Sequence, residues 1–430
     1  MSPLNWAEPY RRVLPNGLRL IVEPINHVRS VAVGLWVGAG SRCEEAGQAG
    51  ASHFLEHLLF KGTATRSARD LAEAIDAVGG DMNAYTTKEY TCYYIRALGE
   101  HLPLAMELLA DILLNSRFDP GDIEKERGVI LEEISLYEDT PDELVHDLLA
   151  QCLWGSHPLG RSIIGTAGDV KSLTREDLLA FYRAHYHPGN TVLAVAGAVN
   201  PLVVEELAHR LLGSWPAREA RPEPAGGGPE AGAASKRPGL RRDRRVRVKE
   251  TEQVHFCLGT EGRSINHRDR YSLLVLSSLI GGGPSSRLFQ AVREERGLAY
   301  SVYAFQAAYR DTGVFGIYAG SSPRSAPAVL DLIMAELNAI RRHGITGAEL
   351  ARAKEQIKSS LLMSLECTES RMSRLGRSEL LLGRVPAPAA IIRRVEALGQ
   401  EDIVQLAGQV LDPDHLSLAA VAPTPEPFRF

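Results

Sequence analysis

Polar and apolar residues alternate between residues 10 and 37, and the pattern predicts strands. Leu18-Arg19-Leu20-Ile21-Val22 follows an Asn16-Gly17 turn signal, and Ser30–Val37 reads as a second, more buried strand. The glycine-rich loop at 38–41 leads into a helix over 51–60. A second helix over 68–78 stops at Gly79-Gly80, as a glycine cap would stop it. Residues 81–91 predict a strand that runs into 92–97. It is polar in its first half, which suits a sheet edge able to accept an extended peptide, or an ordinary solvated edge. Helices over 102–115, 122–138, 142–153 and 175–184 precede a buried strand at 191–197 and a helix at 201–212. On the 122–138 helix, Ile123, Val129, Ile130 and Ile134 are the expected docking positions. Glu126 and Glu133, seven apart, lie nearly one above the other.

Residues 222–235 are dominated by Pro, Gly and Ala and mark a flexible linker, taken as 217–240, between domains at 1–216 and 241–430. The second half retraces the first. It predicts strands at 247–258 and 313–320 and helices at 268–279, 326–343, 347–365 and 391–398. Ser172-Leu173-Thr174-Arg175-Glu176-Asp177 is echoed by Ala397-Leu398-Gly399-Gln400-Glu401-Asp402. Pro188 meets Pro413, and 191–196 meets 416–421, at the same offset of 225 residues. The expected fold class is α+β, with two homologous domains from an internal duplication, each an antiparallel-rich sheet packed with helices.

A chain of 430 residues is long enough for two such cores. The formal charge of −5 argues against a general nucleic-acid binder. The basic run from Lys236 to Lys249 has no interleaved aromatics, is interrupted by Asp243, and reads as the lead-in to a strand. No apolar run approaches the ~20 residues that span a bilayer. With no signal-type apolar stretch near residue 1, no membrane association and a cytoplasmic location are expected. Five scattered cysteines with no C-x-x-C pair read as reduced thiols.

The chemistry concentrates at Ala51-Ser52-His53-Phe54-Leu55-Glu56-His57-Leu58-Leu59-Phe60. On a helix, His53, Glu56 and His57 share one face in H-x-x-E-H order, which suits Zn²⁺ held by two imidazoles with a carboxylate beside its water. A buried amphipathic helix with two incidental histidines is the plain alternative. A carboxylate from the 122–138 helix could be the third ligand, and helical spacing alone does not choose among them. The second half has no H-x-x-E-H, and Leu362 falls where Glu133 would be echoed, so one metal ion per chain is expected. There, Gly281-Gly282-Gly283 reads as a hinge before a helix. Arg293 and Tyr300 are donors that could meet a substrate carbonyl, and are equally well explained as surface groups.

His53-Phe54-Leu55-Glu56-His57-Leu58-Leu59-Phe60-Lys61-Gly62-Thr63 resembles the active-site segment of the pitrilysin/insulysin metallopeptidases, especially the mitochondrial processing peptidase β subunit and its bacterial relatives. The resemblance covers nearly the whole chain. It implies a clamshell of two related domains and a third zinc ligand 76 residues after the second histidine, at Glu133, with a supporting acid at Glu126. It assigns Glu56 as general base and Asn83, Ala84, Tyr85 and Thr86 as the strand that pairs with substrate. It also implies that Arg293 and Tyr300 reach the cleft when the halves close. The function implied is a zinc endopeptidase acting on extended or unfolded peptides, with a preference for basic, presequence-like ones. A homodimer is favoured over a heterodimer with a non-catalytic homologue. The alternative is a catalytically silent scaffold or peptide-binding subunit, as the family also contains.

Overall fold

The computed structural model describes residues 8–218 and 242–428. Its first elements are β1 (Tyr10–Val13), β2 (Arg19–Pro24), β3 (Ser30–Val37), α1 (Ala51–Leu59), α2 (Ala68–Asp76), β4 (Asp81–Thr86) and β5 (Thr91–Leu98). There follow α3 (Leu102–Asn115), α4 (Pro120–Glu138), α5 (Pro141–Trp154), α6 (Ala167–Ser172), α7 (Arg175–His185), β6 (Thr191–Gly197) and α8 (Pro201–Leu212). Next are β7 (Arg244–Val248), β8 (Val254–Glu261), α9 (Arg270–Gly281), a π-helical turn (Phe289–Glu294), β9 (Ala299–Ala308) and β10 (Gly313–Ser321). The last are α10 (Ala326–His343), α11 (Gly347–Ser364), α12 (Thr368–Leu382), α13 (Pro388–Glu396), α14 (Gln400–Val410) and β11 (Ser417–Ala422).

Two sheets organise these elements. The six-stranded sheet runs β1-β2-β6-β3-β5-β4 and the five-stranded one β7-β11-β8-β10-β9. Leaving β1 aside, the orders coincide strand for strand. Each has a single parallel pair, β2 with β6 and β7 with β11, and is otherwise antiparallel. The α+β class and the repeat of the unit are therefore visible in the topology as well as the sequence.

The described chain forms two compact units, and they do not follow its linear halves. The first draws on described residues within Met1–Ile134, Ser162–Ala234 and Leu362–Ala387, and the second on those within Ser135–Arg161, Ser235–Leu361 and Pro388–Phe430. Helix α5, from the first half of the sequence, thus packs on β8 and β11, while α12, from the second half, packs on β3 and β6. The exchange is reciprocal and uses the same device twice. Gly34 on β3 leaves room for Met372 of α12, because a Cβ there would lie 2.5 Å from Met372 Sδ. Gly259 on β8, at the same 225-residue offset, would put a Cβ 2.6 Å from Leu149 Cδ2 of α5. Trp36 Nε1 donates to Met372 Sδ at 3.3 Å, and Glu23 pairs with both Arg371 (2.7 Å) and Arg374 (3.1 Å), so α12 is bound to the first sheet by buried polar contacts too.

Several sequence expectations change in detail. The strand at 81–91 is a hairpin, broken at 87–90, and the strand at 247–258 breaks at 249–253. Helix α12 and strand β9 were not anticipated. Val129 is 49% exposed, because it falls off the stripe on which Ile123, Ile130 and Ile134 are buried. Of the linker at 217–240, all but residues 217 and 218 lie outside the described residues. From the basic run, Arg244, Arg245 and Arg247 lie in β7. Arg245 pairs with Asp243, Arg247 with Glu138, and Lys249 with Asp139. All five cysteines are free thiols, and no helix among the described residues is long and apolar enough to cross a membrane.

Candidate metal centre

Helix α1 is fixed at both its start and its buried face. Gly50 takes φ +89° at its N-terminus, a conformation that favours glycine, and a Cβ there would lie 2.8 Å from Ile164 O. The buried Glu44 carboxylate accepts from Gly50 N (3.0 Å) and Ser52 N (2.9 Å), so it satisfies open amides at the positive end of the helix. Phe54, Leu55, Leu58 and Leu59 are buried in the first core. Their burial leaves His53, Glu56 and His57 on the opposite, partly accessible face.

Helix α4 supplies the facing carboxylates. Glu133 Oε1 lies 3.7 Å from His53 Nε2, and Glu133 Oε2 lies 3.6 Å from His57 Nε2. One ligand atom from each of His53, His57 and Glu133 lies within 4.8 Å of the others, the single such cluster of His, Cys, Asp or Glu among the described residues. These distances are too long for direct hydrogen bonds, and a cation fits between the three groups. Buried Glu126, two turns before Glu133, sits 3.1 Å from His57 Nδ1 and accepts from Lys61 Nζ at 2.8 Å. With Nδ1 as the donor to that carboxylate, His57 keeps its Nε2 lone pair for a metal. Burial, and then the neighbouring His57, pulls the His53 pKa down to about 4, so His53 is neutral and able to ligate near pH 7.

Glu56 occupies a different environment. Burial raises its pKa, and a hydrogen bond from Thr86 Oγ1 to Oε2 at 2.5 Å opposes that rise. A carboxyl with an upward-shifted pKa beside a metal cluster is suited to take and return a proton. Asn83, Ala84, Tyr85 and Thr86 lie on β4, which pairs only with β5 and forms the edge of its sheet among the described residues. In the second unit, Arg293 and Tyr300 meet each other. The Arg293 guanidinium lies 4.9 Å from the Tyr300 ring centre, and Tyr300, at the start of edge strand β9, is 78% exposed.

The sequence reading missed Glu44 and Lys61. Lys61, four residues past His57, carried a helical-spacing signal. Glu44 carried none, since its role depends on a loop folding back onto α1.

Two sheet-and-helix repeats, one bearing a cluster of two histidines and a glutamate, define the general class. The chain belongs to the insulinase family, peptidase family M16. The insulinase (peptidase family M16) profile matches residues 19–167, and the profile described as the peptidase M16 inactive domain matches 172–357. The second match covers sequence that lacks H-x-x-E-H. The chain is 42% identical over 414 residues to an uncharacterized zinc protease of Bacillus subtilis, YmxG, covering 96% of this chain and 98% of that one. It is 44% identical over 412 residues to an uncharacterized zinc protease of Mycobacterium bovis, covering 95% and 92%. The fold matches the crystal structure of a protease from Helicobacter pylori with a TM-score of 0.89 at 24% identity, covering 97% of this chain and 99% of that one. A peptidase M16 inactive domain from Pseudomonas fluorescens matches at 0.88 and 20% identity, over 97% and 98%.

Proposed function

We propose that the chain is a zinc-dependent endopeptidase that cleaves extended or unfolded peptides. The observation that carries this reading is the convergence of His53 and His57 from α1 with Glu133 from α4, with Glu56 beside them. The donor set, two imidazoles and one carboxylate, suits Zn²⁺ and leaves a position open. A zinc ion held by these three residues would supply Lewis acidity, which makes water more acidic and polarises the scissile carbonyl.

The remaining steps fall to the chain's own residues. Glu56 takes the proton of the attacking water and returns it to the leaving nitrogen. Glu126 holds His57 by Nδ1, with Lys61 holding Glu126 in turn. The substrate lies extended along Asn83–Thr86, bonded through its backbone, so its sequence preference is loose. On the family resemblance, Arg293 and Tyr300 are assigned to the carbonyl oxygen as charge develops on it. The preference for basic peptides and the homodimer rest on that same resemblance.

The test is cleavage of a quenched, extended peptide by purified protein, before and after chelation. Activity should vanish on chelation and return with one equivalent of zinc. Glu133→Gln should neither hold zinc stoichiometrically nor cut. A wild type that never retains zinc would leave the silent-subunit reading in its place.

A further inference from the structure

Glu56 is half-buried, and one of its two oxygens is already engaged. Thr86 Oγ1 donates to Oε2 at 2.5 Å, leaving Oε1 as the oxygen that can exchange a proton. The Thr86 hydroxyl is itself surrounded. Its cross-strand partner Thr91, which is buried, places Oγ1 3.2 Å away and donates its own proton to Ala39 O at 2.9 Å. With that proton committed, Thr91 Oγ1 can only accept, and the single hydrogen of Thr86 goes to the nearer acceptor, Glu56 Oε2, at 2.5 Å against 3.2 Å.

The backbone around Thr86 is pinned to the loop that precedes α1. Ser41 N donates to Thr87 O at 3.2 Å and Arg42 N to Lys88 O at 2.7 Å, while the Arg42 guanidinium pairs with Glu89 at 2.7 Å. A Cβ on Gly40 would lie 2.2 Å from Thr87 O, so the close approach of loop and hairpin requires glycine there. The same loop carries Glu44, which caps α1. Thr86 and Glu56 are therefore held in one frame from both sides.

We propose that Thr86 is a positioning residue for the Glu56 carboxylate, acting through its side-chain hydroxyl and separately from any backbone pairing of β4 with substrate. The inference rests on the reading of Glu56 as the general base. Thr86 need not touch the peptide with its side chain. Its hydroxyl stops the carboxylate from rotating, so that Oε1 is presented to the attacking water without reorganisation.

The experiment compares kcat, KM and bound zinc for the wild type, Thr86→Val, Thr86→Ala, Thr86→Ser and Glu56→Gln in the full chain. Valine is close to isosteric with threonine and keeps the β-branched shape that suits a strand. Thr86→Val is expected to hold full zinc, leave KM within about twofold and lower kcat by about 10- to 100-fold. Thr86→Ser, which restores the hydroxyl, should recover most of the lost rate. Thr86→Ala, which also removes the hydroxyl, should lower kcat in the same direction and provides the test if Thr86→Val folds poorly. Unchanged kcat in both Thr86→Val and Thr86→Ala overturns the proposal. So does a raised KM with unchanged kcat, which would make Thr86 a substrate contact. A serine variant as slow as the valine one would also remove the hydroxyl's role. Glu56→Gln separates the two levels. If it is inactive while Thr86→Val and Thr86→Ala are normal, only the Thr86 assignment falls; if it cuts like the wild type, the base reading falls with it.

Discussion

His57 Nδ1 and Glu126 Oε2 stand 3.1 Å apart, joining α1 to α4 on the side of the imidazole away from Glu133. The contact determines which nitrogen of His57 is available to a metal, and Lys61 Nζ at 2.8 Å holds the carboxylate in its orientation. Glu126→Gln should therefore lower zinc affinity or turnover by about 10- to 100-fold while leaving all three ligands in place. Competition of each protein against a zinc-binding dye, read beside kcat, checks this. Equal zinc affinity and equal kcat would show that Glu126 is only part of the packing.

The seat of α12 on the first sheet gives a graded stability prediction. A Cβ on Gly376 would lie 2.2–2.5 Å from three atoms of the fully buried Trp36 ring, whereas one on Gly34 would meet chiefly the Met372 thioether at 2.5 Å, the far end of a flexible chain, and Trp36 Nε1 less closely at 2.9 Å. Gly376→Ala should cost about 2–3 kcal/mol, and Gly34→Ala less, because the tightest contact there is a methionine that can move and the indole is overlapped less deeply. Urea unfolding of both variants is the measurement. The reverse order would mean that α12 adjusts as a whole.

His185, remote in sequence from His53, His57 and Glu133, predicts a pH effect. Burial, followed by Arg218 and His187, lowers its pKa to about 4 in the folded protein, against an ordinary value of 6.5. A histidine with a depressed folded pKa stays neutral in the native state while the unfolded chain takes up a proton. Its contribution is thus intact above pH 6.5, is lost as pH falls towards about 4, and then levels off. His185→Gln should flatten the stability profile in that window by roughly 2 kcal/mol, a figure reduced for partial exposure. Urea midpoints at pH 7.5 and pH 4.5 for both proteins check it, and parallel profiles would count against the assignment.

What could be read in the sequence was whatever depends on local spacing. His53, Glu56 and His57 share a face because the helix repeats every 3.6 residues, and Glu126 lies beneath Glu133 for the same reason. The choice of Glu133 over its neighbouring acids needed the family resemblance, because several carboxylates on α4 point in usable directions. The duplication was legible in the 225-residue echo of capping, proline and strand positions. The exchange of α5 and α12 was not, since each helix packs on a sheet from the other half of the chain and its own pattern names no partner. Gly34 and Gly259 reveal it only once the helices that need the space are seen. The bond from Thr86 to Glu56 was hidden for the same reason: it joins residues 30 apart through the turn of an unrelated hairpin.

The central claim is that a metal bound by His53, His57 and Glu133 and a proton-transferring Glu56 make one catalytic site. The most direct measurement is cleavage of an extended, arginine-containing quenched peptide by the wild type and Glu56→Gln, with zinc measured in each sample. Equal zinc in both, turnover by the wild type, and a loss of at least about 100-fold in the variant are expected. Equal zinc with equal turnover would contradict the role of Glu56, and failure of both to hold zinc would contradict the site itself.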